Sequence, residues 1–388
     1  MKQLPDALTA LRGRASEMPA LTREWVLVNS FTENVAGVNA VGQLLREALA
    51  LPSLTCEVRR SERFGDHLLW RTPAALAPDA RPILLIGHHD TVFPPGHFEG
   101  WREEDRRAYG PGALDMKGGL AVIRTALAAL DDVGELARLP LVVVTVADEE
   151  VGSPDSRRHL QEVARGAACA LVFESGRTDD SIVTRRRGTG AMTMVFEGRA
   201  AHAGNNHRDG INAIWAAARF VDAAQRLTEY PRGVTVNVGL IKGGTSKNTV
   251  PERAECMLDI RFESVTDAEA LVAALGRAAH EAAEGVPGAR ATSSGGVSRL
   301  PLERTVASAA LYAEFAACQE AAGLPARECP MVAGGSDANT VAPLGVPAID
   351  GLGPRGKGFH TNNEYVELAT FLPKAEALVR FLWGRRPG

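Results

Sequence analysis

Three short apolar runs, Ile83 to Ile86, Leu141 to Val146 and Ala170 to Phe173, constrain this chain more than any other feature of its sequence. Each is aliphatic or β-branched and apolar on both faces, as a strand buried inside a parallel sheet must be. Each also leads into a cluster of His, Asp or Glu: His88 after the first, Glu149 and Glu150 after the second, Glu174 after the third. Helical stretches such as Asn34 to Leu51 alternate with these runs, and that alternation predicts an α/β fold with a mixed, largely parallel sheet and crossover helices. Ligand sites in such sheets lie beyond the carboxyl ends of the strands, so the four side chains are expected to converge at one edge.

The pattern changes at about Gly188. Strands are expected over Met192 to Phe196, Thr235 to Ile241 and Ala254 to Phe262, with a weaker one over Ala291 to Val297, and helices over Asn212 to Leu227 and Asp267 to Ala283. This βαββαβ order predicts a small α+β sandwich inserted as its own unit over 188–298. The Gly- and Ser-rich stretch near Ser293 to Ser298 marks the expected return to a first domain built from 1–187 and 299–388. There, Leu311 to Ala322 and Leu372 to Trp383 are expected to be helical and Val346 to Ile349 a strand. A chain of 388 residues fits two or three domains by length, and the pattern change selects two.

A net charge of −4 gives no basic field for nucleic acid. No window approaches the roughly 18 consecutive apolar residues of a spanning helix, and the stretch from Met1 to about Asn29 has no uninterrupted apolar core of signal-peptide length. Five scattered cysteines suit a reducing compartment, so a cytoplasmic enzyme without membrane partners is the expectation.

The chemistry sits at the strand ends. In His88-His89-Asp90, period-2 geometry puts His88 and Asp90 on one face, so Asp90 can orient the imidazole or tune the site from behind. The glycine-rich turn Gly110 to Gly112 delivers Asp115 just ahead of the apolar helix Leu120 to Leu130. An Asp there suits a helix cap, and its two oxygens can equally face two different ions. Asp148-Glu149-Glu150 would be self-repelling unless cations or solvent neutralised it. A solvated acidic loop is the alternative, and the position at a strand exit argues against it. Glu174 and His360, the latter in a glycine-rich loop, complete the set. Two His and three carboxylates, with one further acid, favour Zn²⁺, with Co²⁺ or Mn²⁺ as substitutes. One shared carboxylate suits a pair of ions about 3.5–4 Å apart.

The strings His88-His89-Asp90-Thr91-Val92, Tyr109-Gly110-Pro111-Gly112 through Asp115-Met116-Lys117-Gly118-Gly119, Asp148-Glu149-Glu150-Val151-Gly152-Ser153, Ala201-His202-Ala203-Gly204 and Gly334-Gly335-Ser336-Asp337-Ala338 occur together and in order. In this the chain resembles the zinc-dependent aminoacylases, the acetylornithine and succinyl-diaminopimelate deacylases and the glutamate carboxypeptidases, with its nearest likeness to the last branch. The resemblance covers nearly the whole chain. It implies a catalytic domain of di-zinc exopeptidase type and an inserted lid and dimerisation domain. It further implies that His88 and Glu174 hold one of two Zn²⁺ ions per subunit, Glu150 and His360 the other, that Asp115 bridges them, and that Glu149 is the general base, with Asp90 supporting the site.

On the same resemblance His202 reaches the active site of a partner subunit in a homodimer and binds the oxyanion. Asn248 and Arg261 hold the carbonyl or carboxylate of a small-molecule or short peptide substrate with a free carboxylate, and Gly335 lies in a substrate-binding loop. The run Arg185, Arg186, Arg187 departs from the glutamate carboxypeptidases, which carry a less cationic stretch there. Arg185 and Arg187 are candidates to read an anionic substrate, and a solvated basic linker is the alternative. The expected reaction is hydrolysis of an amide bond beside a free α-carboxylate, by a carboxypeptidase or else an N-acyl amino acid deacylase. A silent binding protein on the same fold is disfavoured by the intact Glu149 and ligand set.

Overall fold

The computed structural model describes residues 3–386. Two helices, α1 (Leu4–Gly13) and α2 (Glu17–Val26), open the chain, followed by α3 (Val35–Ala48). The Asn34 side chain caps α3 by accepting the Gly37 N–H. Strands β1 (Thr55–Arg59) and β2 (His67–Arg71) then form an antiparallel pair that the sequence pattern did not announce.

Strands β3 (Ile83–His88), β4 (Leu141–Val146) and β5 (Cys169–Val172) form the parallel centre, with β3 between the other two. Every residue of the three strands is buried. Full burial of each aliphatic side chain in the run Ile83 to Ile86 contributes about 1.5–3 kcal/mol. The register sets Ile83 against Leu141 and against Cys169, so the three strands run level and deliver their following residues to one edge.

Helix α4 (Gly118–Asp132) crosses over between β3 and β4. It is apolar nearly all round because it lies inside the unit, packed against α1 and α2 as well as the sheet. Helix α5 (Ser156–Ala164) links β4 to β5.

The chain then enters a four-stranded antiparallel sheet of β6 (Gly188–Glu197), β7 (Thr235–Gly243), β8 (Arg253–Phe262) and β9 (Arg290–Arg299), in the order β7-β8-β6-β9. Helices α6 (Ala213–Gln225) and α7 (Val265–Glu284) complete a βαββαβ unit. Met192, Met194 and Phe196 alternate inward from β6, and Phe196 meets Phe220 of α6 with ring centroids 5.5 Å apart. The segment Ser293 to Ser298 lies within β9.

Beyond this sheet, α8 (Val306–Ala321) starts at Thr305, whose side chain and Ser308 cap each other. Strand β10 (Ala348–Ile349) pairs in parallel with β5 and completes the order β1-β2-β4-β3-β5-β10. The expected strand over Val346 to Ile349 is thus shortened to its last two residues. Helix α9 (Phe371–Gly384) packs on α4 and α8.

By its internal contacts the chain divides into two compact units. One comprises the described residues up to Arg185, Arg304–Val332 and those from Ser336 onward; the other comprises Arg186–Glu303 and Ala333–Gly335. Among the described residues, no helix is long and apolar enough to cross a membrane.

Candidate metal centre

In the first unit the strand exits supply one cluster. His88 is the last residue of β3, Glu149 and Glu150 open a short turn after β4, and Glu174 follows β5. Asp115 is carried by the irregular turn Ala113–Lys117, entered through Gly112 at φ 74°, a left-handed conformation that glycine adopts without strain. His360 sits in a loop at φ 61°.

The close approach of α4 to the sheet depends on Gly119: a Cβ there would stand 2.1 Å from the Phe173 carbonyl oxygen. That contact brings the turn holding Asp115 up to the end of β5, next to Glu174.

Asp115 lies between the two histidines. Its Oδ1 is 3.5 Å from His88 Nε2 and its Oδ2 is 3.4 Å from His360 Nε2. Glu174 Oε2 is 3.7 Å from His88 Nε2, and Glu150 Oε2 is 3.0 Å from His360 Nε2. Two sets of donor atoms result, His88 with Glu149 and Glu174, and Asp115 with Glu150 and His360, each set within 4.8 Å. The remaining acid of the triplet, Asp148, faces away. Its Oδ2 accepts the backbone N–H groups of Asp155 and Ser156 at the start of α5, at 2.8 and 3.1 Å.

Behind the cluster, Asp90 is fully buried. Its oxygens accept from Thr32 Oγ1 at 2.8 Å and from the backbone N–H groups of Glu149 and Glu150 at 3.3 and 3.2 Å. His88 Nδ1 lies 3.1 Å from the Asp90 carbonyl oxygen and 3.4 Å from its carboxylate, which leaves Nε2 to face the cluster. Asp90 therefore orients the loop of Glu149 and Glu150 as well as the imidazole. His89, on the opposite side of the strand, is enclosed, and burial drives its pKa down to about 3.

Two residues that sequence reasoning passed over complete the support. Glu364 is buried and accepts backbone N–H groups of the turn that carries Asp115. Its neighbours lie some 250 positions away, so no local pattern marks it. Lys117 is buried with Nζ donating to the carbonyls of Trp25 and Val28 at 3.0 and 3.3 Å, and burial lowers its pKa to about 7.

The electrostatics fit a cationic occupant. Burial, with the charges of Asp115 and Glu149, pushes Glu150 up to about 8 against the pull of His360. Burial and the same neighbours hold Glu174 well above the usual carboxylate range. Hydrogen bonds to Asp115 and Glu150 raise His360 to about 10. Burial opposes a charge on His88, yet Glu174, Asp115 and Asp90 outweigh it and raise its pKa well above the ordinary value.

Glu150 and Glu174 are thus drawn toward their neutral forms, while Asp115, against burial, is held well below the usual carboxylate range by His360 and His88 beside it. Asp115 Oδ1 is buried with no hydrogen-bond partner, an oxygen well suited to a metal ion. The donors are nitrogen and oxygen without thiolate, a set suited to zinc and its borderline neighbours.

In the second unit, the short pairing of Ala201–His202 with Thr249–Val250 joins the His202 and Asn248 loops, and Asn248 O accepts the Ala203 N–H at 2.9 Å. His202 is exposed, and its Nδ1 accepts the backbone N–H groups of Gly204 and Asn205 at 3.1 Å each. With Nδ1 accepting, the donor nitrogen of a neutral ring is Nε2. Arg261, on β8, is bound side-on by Asp259, with Nε and Nη2 donating at 2.8 and 2.9 Å, a pairing that does not use Nη1.

The arginine run does not form a single cationic patch. Arg185 is exposed, Arg186 is buried and donates to Gly334 O at 3.0 Å, and Arg187 pairs with Glu263 at 3.1 Å. Gly335 is half-buried beside that Gly334 carbonyl. In the first unit Asp337 accepts from Ser153 Oγ at 2.6 Å, tying its loop to the one after Glu150.

Residues 84–384 match the family described as Peptidase family M20/M25/M40. The chain belongs to this family. Like other M20 peptidases, it is a metal-dependent hydrolase with a mixed α/β catalytic fold. Among similar sequences, carboxypeptidase G2 of Pseudomonas sp. strain RS-16 is 28% identical over 91% of this chain and 86% of its own length. Acetylornithine deacetylase of Myxococcus xanthus is 31% identical over 46% of this chain and 49% of its own. The aminopeptidase PepT of Bacillus cereus superposes with a TM-score of 0.76 at 22% identity, covering 95% of this chain and 98% of that one.

Proposed function

We propose that this M20 hydrolase is a two-zinc carboxypeptidase that releases a C-terminal amino acid, glutamate-type substrates included, from a small peptide or acyl conjugate. The observation that carries the reading is Asp115, with one oxygen 3.5 Å from His88 and the other 3.4 Å from His360. On this reading His88 and Glu174 hold one ion, Glu150 and His360 the other, and Asp115 both; when bound, the pair would polarise the scissile carbonyl and acidify a water.

Glu149 is the general base. Its carboxylate takes a proton from the attacking water and returns it to the leaving amine nitrogen. Asp90 keeps Glu149 in place through the backbone N–H and keeps His88 presenting Nε2. The Nε2–H of His202, acting on the site of a partner subunit in a homodimer, donates to the oxyanion as negative charge develops there. Arg261 receives the substrate α-carboxylate on the guanidinium edge that Asp259 leaves, and Asn248 donates beside it. Arg187, already committed to Glu263, is a poorer candidate for a substrate anion than the exposed Arg185.

The likeness to an acetylornithine deacetylase supports a second reading, an N-acyl amino acid deacylase with the same base and ligands. Zinc- or cobalt-loaded protein assayed against N-acetyl, N-succinyl and dipeptide substrates with free C-termini separates the two. Faster turnover of dipeptides and bulky acyl-glutamates supports the carboxypeptidase; turnover confined to N-acetyl or N-succinyl amino acids overturns it in favour of the deacylase.

A further inference from the structure

The geometry points to Glu364 as a positioning residue of the metal centre, a buried carboxylate that sets where Asp115 stands relative to His360 before any ion binds. This rests on the proposal that Asp115 and His360 are ligands. Glu364 Oε1 accepts from the backbone N–H groups of Leu114 and Asp115 at 2.8 and 3.0 Å, and Oε2 accepts from Gly112 at 3.3 Å. Its own N–H donates to Thr361 O at 3.1 Å, within the turn that follows His360, and its carbonyl accepts the Gly110 N–H at 3.4 Å. One residue therefore clamps the two loops that carry the two proposed ligands.

The turn needs this clamp. Asp115 and Met116 have non-helical backbone angles, (−117°, 89°) and (−134°, 33°), and the N–H groups of Gly112, Leu114 and Asp115 are met by the Glu364 carboxylate. Buried donors without acceptors are costly, and a single carboxylate here satisfies three of them. Glu364 is 0% exposed, so both of its oxygens are held among these donors and away from solvent. The arrangement makes sense for a scaffold that holds a bridging ligand ready for two positive charges.

Glutamine tests this without changing shape. Its single carbonyl oxygen can still serve Leu114 and Asp115, but its amide group meets the Gly112 N–H donor to donor. The full-length protein, stripped of metal, is titrated with Co²⁺ alone, following the visible absorption of the ion in wild type, Glu364→Gln and, as a control, Asp115→Asn. The expected result is a roughly 10- to 100-fold weaker affinity in Glu364→Gln with an altered visible band, the loss typical when a residue behind a ligand is changed. Wild-type affinity and an unchanged band in Glu364→Gln would overturn the role of Glu364 alone. No cobalt binding by wild type would overturn the ligand assignment beneath it as well.

A measurement on the metal-free wild type makes the test independent of how the variant folds. Hydrogen exchange in a peptide spanning 112–116 is expected to be as slow as in β3 before any ion is added. Free exchange that becomes slow only on adding Co²⁺ would show that the ion, and not Glu364, orders the turn.

Discussion

Glu149 and Glu150 are adjacent in sequence and their donor atoms fall into different sets of the cluster, so substituting each by Gln should give two different failures. Without Glu150, the proposed second ion keeps only His360 and Asp115. Two protein ligands fall short of the three that catalytic zinc sites use, so Glu150→Gln should retain about one ion per chain. Without Glu149, the proposed first ion keeps three ligands, His88 Nε2 and the Asp115 and Glu174 oxygens 3.5 and 3.7 Å from it, and both ions should stay.

What Glu149→Gln should lose is turnover. Positioned acid–base catalysis contributes about 10²- to 10⁴-fold, so kcat should fall by that factor, or about 2.7–5.4 kcal/mol at 1.36 kcal/mol per tenfold. Elemental analysis of dialysed protein, alongside steady-state kinetics, decides the matter. Loss of about one ion from Glu149→Gln, with both kept by Glu150→Gln, would show that the two glutamates have the reverse roles.

Three further outcomes are expected. In the metal-free protein His360 holds its proton up to about pH 10, so that pairing stabilises the fold fully below its usual value of 6.5 and is lost as pH rises through 10. The ion must displace this proton, so apparent Zn²⁺ affinity from chelator competition should rise about tenfold per pH unit per displaced proton above neutrality, and a flat profile would contradict the ligand role of His360. Mixed dimers of His202→Ala with Glu149→Gln subunits should recover activity at sites that pair an intact metal centre with an intact partner histidine; verified mixed dimers that stay inactive would exclude action across subunits. Arg261→Ala should lower kcat/KM by about 30-fold to several thousandfold, the equivalent of roughly 2–5 kcal/mol for one half of a buried charged pair, and amidating the substrate carboxylate should cost wild type a similar factor without adding to the mutation. Equal turnover of acid and amide by wild type would remove the carboxylate-directed reading.

Much of the catalytic unit was readable because its strands are buried on both faces. Leu141 to Val146 is apolar at every position but Thr145, and the strand occupies those six residues. Strands β1 and β2 went unread for the opposite reason: in β1 only Cys56 and Val58 alternate with charged neighbours, too short a pattern to mark a strand, and Glu57 there pairs with both Arg59 and Arg71. A further four-stranded sheet, of Arg102–Glu104, Arg107–Tyr109 just before the turn of Asp115, Gly356–Lys357 and Tyr365–Glu367, has strands only two or three residues long, too short for any periodicity.

At the site, positions that follow a strand directly were visible as polar residues after an apolar run. Residues acting through remote backbone were not. Glu364 meets its partners across some 250 positions, and Arg187 meets Glu263 across 76. The acidic triplet shows the limit from another side, because composition alone does not say that the peptide turns Asp148 toward α5 while Glu149 and Glu150 face the cluster.

The level register of β4, β3 and β5 carries a consequence for divergence. His88 stands opposite Val146, and Ile86 opposite Val172, so the lateral spacing of the three exits is set by main-chain hydrogen bonding, at about 4.8 Å per strand. Core side chains can then be exchanged for others of similar volume while the exits stay in line, since the ladder is blind to which aliphatic residue occupies it. Drift in the interior is thereby separated from drift in the chemistry. The same register tells an engineer which changes are dangerous: a single inserted or deleted residue in β3, β4 or β5 would shift one exit out of line and turn its side chains to the opposite face, whereas many conservative replacements inside those strands would leave the centre where it is.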